Sequence, residues 1–89
     1  MIFVCNLIAG KTMEEITLSQ KMNAIFNSSI SVVFQNEIRR KDGEWDTRIT
    51  WTHVGLPGNN VIKSCEWWGF ETMDEAADDC LNYIVTNNL

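Results

Sequence analysis

The residues of this chain able to do reactive chemistry are few: Cys5, Cys65, Cys80 and a single histidine, His53. A cysteine attacks as the thiolate, so nucleophilic catalysis would need Cys65 or Cys80 to meet His53 as base. The spacing works against this. Cys80 recurs within an apolar helical stripe, and His53 ends an alternating strand pattern, where a partly exposed side chain is expected. Zinc would need close-set ligand pairs such as C-x-x-C, and the chain has none, so the cysteines read as packing thiols. Ala9-Gly10-Lys11-Thr12 matches the tail of a phosphate-binding loop, but Cys5 stands where the first glycine of G-x-x-x-x-G-K-T belongs. The carboxylates Asp74, Glu75, Asp78 and Asp79 could do acid-base work only in a pocket that raises a pKa, and their pattern turns them toward solvent. No catalytic residue, metal site or cofactor is assigned, and the chain reads as non-enzymatic.

Two features do suggest binding. At 100° per residue, Asp74, Asp78, Glu75 and Asp79 span about 140° of one helix opposite its apolar stripe, which makes an anionic ridge. Asp74 and Glu75 also complement the positive end of the helix dipole, so part of this charge has a local structural use. The second feature is aromatic excess. Trp45, Trp51, Trp67 and Trp68 are more indole than one small core needs. Trp51 is expected in the core, while Trp45 near the turn or one of the pair Trp67 and Trp68 is expected to be partly exposed, as tryptophans at binding hot spots are.

Eighty-nine residues, 45% of them hydrophobic and 21% charged, with one proline, fit a single folded domain over residues 1–89 and exclude a disordered or linker-rich chain. The net charge of −5 opposes approach to a phosphate backbone. After Lys63 no basic residue follows, whereas Glu66, Glu71, Asp74, Glu75, Asp78 and Asp79 do. Arg39, Arg40, Lys41 and Arg48 are interleaved with Asp42, Glu44 and Asp46 and form a mixed surface rather than a basic patch. Three cysteines without paired spacing suit a reducing cytoplasm better than a disulfide scaffold. The apolar opening Met1-Ile-Phe-Val-Cys-Asn-Leu-Ile8 is too short to span a bilayer and reads as a short buried strand. A competing reading starts the protein at Met13.

The elements that must position these residues follow from periodicity. Thr12-Met-Glu-Glu15 and Thr17-Leu-Ser-Gln20 are alternative capping boxes for a first helix over about 13–27, with Leu18, Met22, Ile25 and Phe26 on its stripe. Alternation then sets in: Ile30, Val32, Phe34 and Ile38 share one parity, and Trp45, Thr47, Ile49 and Trp51 share the other beyond Asp42-Gly43. That is a hairpin signature with a type I′ turn. It places Phe34 opposite Trp51 and Val32 opposite His53 on one face. On the other it pairs Lys41 with Glu44, Arg39 with Asp46 and Glu37 with Arg48, so the arginines read as sheet-surface partners. Residues 55–60 form a turn-rich loop, and Val61 to Phe70 read as a third strand, with Trp67 and Trp68 on alternate faces. Thr72-Met-Asp-Glu75 caps a last helix over about 73–86. The fold class is α+β, a two-layer (β)αβββα domain: a three-stranded antiparallel sheet, with a possible short fourth strand at the N-terminus, packed against two helices.

This order, with Gly69-Phe-Glu-Thr72, Glu75-Ala76 and Cys80-Leu81 leading into the last helix, resembles the architecture of double-stranded-RNA-binding domains. The resemblance implies basic residues at the start of that helix. Here Asp74, Glu75, Asp78 and Asp79 occupy it, so the likeness is architectural and no RNA-binding activity is carried over.

The expected function is a small, acidic, cytoplasmic interaction module that docks a partner protein's basic surface through Asp74, Glu75, Asp78, Asp79, Trp45, Trp67 and Trp68. Its size and charge also suit a phage or mobile-element inhibitor that occupies a host protein's nucleic-acid site. The alternative is a homo-oligomeric structural or accessory module, a homodimer for example, in which the outer sheet face and a tryptophan bury against a second copy. Nucleic-acid binding by the Arg39–Arg40–Lys41 tip is a lesser reading, and membrane association is not expected.

Overall fold

Thr17 opens the first helix of a computed structural model that describes residues 16–55 and 60–89. Its hydroxyl accepts from Gln20 N–H while the Gln20 side chain accepts from Thr17 N–H, a complete capping box. Helix α1 (Leu18–Phe26) therefore starts at the second of the two candidate boxes. The Thr12 box, the expected N-terminal strand, Cys5, residues 9–12 and most of the 55–60 loop lie outside the described residues.

Strands β1 (Ser31–Lys41), β2 (Glu44–Gly55) and β3 (Asn60–Ser64) form one antiparallel sheet in the order β1-β2-β3. Asp42 and Gly43 take φ of 53° and 84°, the left-handed pair a type I′ turn demands. The hairpin register is the expected one, with Phe34 opposite Trp51, Glu37 opposite Arg48 and Lys41 opposite Glu44. Helix α2 (Met73–Thr86) follows the Thr72 cap, as its sequence predicts. With both helices on the Trp51 face, the domain is a two-layer α+β fold. Its core is Trp51, Ile25 and Ala24 with Ala77, Cys80, Leu81 and Ile84 of α2.

Two expectations are corrected. On α1 the buried positions are Lys21, Ala24 and Ile25, while Phe26 is 64% exposed and Leu18 is also exposed. The helix is rotated so that the Lys21 ammonium, rather than the Leu18/Phe26 edge, faces α2. The third strand ends at Ser64 instead of reaching Phe70. A turn over residues 66–69, closed by Gly69 N–H to Glu66 C=O at 2.9 Å, bulges out before Phe70 rejoins β2 through both backbone bonds of Ile49. Gly69 permits this with φ of 70°; a Cβ there would lie 2.7 Å from Ile49 O. α2 runs alongside β2, since Phe70 meets Ile49, Asp79 meets Trp51 and Tyr83 meets His53. Its N-terminus faces the hairpin tip.

Candidate interaction surface

The acidic face of α2 is partly committed to holding the fold. Lys21, only 3% exposed, brings Nζ to 2.5 Å from Asp74 Oδ1 and 2.8 Å from Asp78 Oδ1, so one buried cation straddles two of the four acids. Asp79 Oδ2 accepts from Trp51 Nε1 at 2.9 Å. The Glu75 side chain accepts from the Thr72 hydroxyl in the N-cap. The ridge is thus less anionic than its sequence, and Asp74, Asp78 and Asp79 are internal partners before they are docking groups. Lys21 was not singled out from the sequence. The signal was there: it falls at the spacing of Ala24 and Ile25, on the helix that must pack against an acid-rich neighbour.

The tryptophans form a different surface. Arg39, Lys41 and Arg48 project from the helix-free face of the hairpin. Arg39 stacks on Trp67 at 5.1 Å, and Lys41 and Arg48 stack on Trp68 at 5.2 and 4.7 Å. Both indoles of the 66–69 turn therefore lie over the helix-free face. Strand alternation does not apply to them, because they sit in a turn. Arg48 fixes that turn: its Nε donates to Trp68 C=O at 3.0 Å and its Nη2 to Gly69 C=O at 3.3 Å. Its ion pairs run to Asp46 and Glu71 rather than across to Glu37, and Arg39 pairs with Glu37 along its own strand. The expected cross-strand partners share a face, but the tryptophans pressing on the guanidinium groups redirect the pairing.

Trp67 is 59% exposed and Trp68 half-buried. Trp45 is 68% exposed on the helix-bearing face, where the hairpin tip outruns the helices, and Arg40 stacks on it at 5.6 Å. Beside Trp67, a shallow cleft of about 360 Å³ is lined by Gln35, Glu37, Thr50, Thr52 and Ser64 of the open sheet face.

Of the described reactive residues, His53 and Cys80 are buried and Cys65 is half-buried. His53 is buried, not partly exposed, with Nδ1 2.7 Å from Tyr83 Oη beneath α2. Burial pushes the Cys80 thiol from 9.0 up to about 12, with the charges of Asp79 and Cys65 adding to it. Burial likewise raises Cys65, and Tyr83 is raised by burial and the neighbouring Cys80. None of these is an activated nucleophile. For Lys21, burial pulls its pKa down, but the hydrogen bonds and charges of Asp74 and Asp78 outweigh it and hold the ammonium above its ordinary 10.5. All four shifts act in one direction. The unfolded chain gives up these protons first, so the stability they contribute is whole below the ordinary values and lost as pH climbs through the folded ones. Thermal melts should be flat from about pH 7 to about pH 9 and fall steadily above that; a melting temperature that holds to pH 11 would contradict these environments.

The fold and surface define a two-layer α+β domain with an aromatic-cationic hairpin arm. No protein-family model, curated protein or solved structure matches the chain. The likeness to double-stranded-RNA-binding domains remains one of element order. No helix among the described residues is long and apolar enough to cross a membrane.

Proposed function

We propose that this protein is a non-catalytic interaction module whose contact surface is the hairpin arm with its tryptophans, the remaining exposed acids at the start of α2 lying beside it. The observation that carries this reading is that Trp45 and Trp67 are largely exposed yet each is held by an arginine of the same hairpin. An indole anchored in this way binds without losing much side-chain freedom, the property that makes tryptophan a hot-spot residue.

Glu71, Asp74 and Glu75 lie at the end of α2 that faces the tip, so the partner surface suited to both features has an apolar pocket rimmed by basic groups. Imitation of a phosphate backbone, as a phage-encoded inhibitor of a host nucleic-acid-handling protein would require, draws less support. Lys21 offsets part of the ridge charge, and Arg39 and Arg48 are already paired.

The test compares capture from a lysate, with and without nuclease, by the tagged protein and two variants. Trp45→Ala with Trp67→Ala should weaken capture by about 30-fold, the effect of losing about 2 kcal/mol of hot-spot energy. Glu71→Gln with Glu75→Gln removes charge while leaving the Lys21 pairs and the Asp79 bond intact, and should weaken it less. Unchanged capture by the tryptophan variant rejects the reading. Nuclease-sensitive capture would favour nucleic acid instead.

A further inference from the structure

Among the described residues the sheet has an open edge at β1, and its chemistry is self-complementary. With the order β1-β2-β3, β1 is an edge strand that pairs with β2 along its whole length without a bulge. The far side of β2 shows which β1 groups face out. Ile49 exchanges both backbone bonds with Phe70, and Trp51 C=O accepts from Cys65, so these odd-numbered residues of β2 face β3. Arg48 and Thr50 therefore face β1 and engage Glu37 and Gln35. Asn36, Ile38 and Arg40 are left with their amides and carbonyls directed at the open edge. Ile38 also has its side chain 70% exposed, on the helix-bearing face but out beyond the helices.

We propose that a second copy of this chain docks on this edge, antiparallel, about a twofold axis through Ile38. The interface is separate from the tryptophan-mediated docking proposed above and does not depend on it. In this register Ile38 faces Ile38 of the second copy, and each exchanges backbone hydrogen bonds with the other. Asn36 and Arg40 do the same with Arg40 and Asn36 opposite. Glu37 comes to lie against Arg39 of the second copy, and Arg39 against its Glu37, two opposite-sign pairs on the helix-free face. Neighbouring registers are worse. Centring on Glu37 or Arg39 sets two like charges face to face, and centring on Asn36 leaves Arg39 opposite Val33 with no charge pair. The Ile38 register confines contact to the tips, clear of the helices that cover Val32 and Phe34. An isologous contact of this kind closes on itself and joins the two three-stranded sheets into one. Both copies would then present Trp45 on the same side.

Sedimentation of the full chain between about 1 and about 100 μM should show a reversible dimer. Hydrogen exchange over the same range should slow at the amides of Asn36, Ile38 and Arg40, which pair with no described strand of the same chain. Ile38→Lys should abolish the dimer while the circular dichroism and melting temperature of the monomer stay unchanged, because the site is exposed. Glu37→Arg should weaken association about tenfold or more by setting Arg against Arg, and adding Arg39→Glu should restore it. A monomer at every concentration overturns the proposal, including the case in which residues 2–8 of the same chain occupy the edge. A dimer indifferent to Ile38→Lys, or one without the three protected amides, also overturns it.

Discussion

Replacing Trp51 with alanine should destabilise the domain by about 3–5 kcal/mol, the range for truncating a buried aromatic side chain. Trp51 is 2% exposed and is the largest fully buried side chain. It joins the sheet to α2 by stacking on Tyr83 at 5.0 Å and by its Nε1 bond to Asp79. No other indole can stand in, since Trp45, Trp67 and Trp68 lie at the tip or on the helix-free face. A domain of this size unfolds with about 5–10 kcal/mol to spare, so the variant should keep well under that margin and melt about 12–40 °C lower. Trp51→Phe keeps most of the ring contact but leaves Asp79 without its donor, and should cost about 1–2 kcal/mol. Urea unfolding measures both. A loss below about 1 kcal/mol for Trp51→Ala would mean that the sheet and α2 are not joined through this residue.

The second large effect concerns the Lys21 ion pairs, and it should depend on which side is removed. Asp74→Asn with Asp78→Asn strands an ammonium whose side chain is 4% exposed, and should cost about 3–5 kcal/mol, as for a buried charge left without its partner. Lys21→Met removes that charge instead. The carboxylates it leaves behind are about half exposed, 55% and 44%, and can rehydrate, so the cost should be smaller, about 1–3 kcal/mol. Chemical denaturation of both variants checks the order. If Lys21→Met is the more damaging, the ammonium is better hydrated than its position between α1 and α2 indicates. The same geometry bears on the search for a partner. Reversing Asp74, Asp78 and Asp79 to lysine would break the Lys21 pairs and the Trp51 bond, so loss of capture in that variant would report unfolding. Glu71→Gln and Glu75→Gln spare both of these contacts and touch only the 3.8 Å Arg48–Glu71 pair and the Thr72–Glu75 bond at the helix cap.

The parts of this architecture written locally were legible in the residues. The α2 limits followed from one capping box and one apolar period. The hairpin register followed from Asp42-Gly43, where left-handed φ angles impose two-residue closure, and from the alternation on either side. The parts that failed depend on contacts distant in sequence. The rotation of α1 is set by Lys21 meeting Asp74, 53 residues away, and Asp78 one turn further on. The early end of β3 is set by Gly69 meeting the Ile49 carbonyl, and the placement of both adjacent tryptophans by Arg48 gripping the 66–69 turn. Within the candidate site, aromatic excess shows that an indole must be exposed, and the structure identifies Trp45 and Trp67. The stacking of Arg39 and Arg40 on them is not legible, because ring stacking leaves no period in a sequence.

Composition and spacing by themselves determined the fold class, the hairpin register and the last helix. Each of these is a short-range consequence of backbone geometry and of which side chains leave water. Tertiary structure alone decided what the charges are for. A carboxylate's role depends on the nearest cation in space, and only the folded chain brings Lys21 to Asp74 and Asp78 and leaves the indoles of the hairpin arm outward.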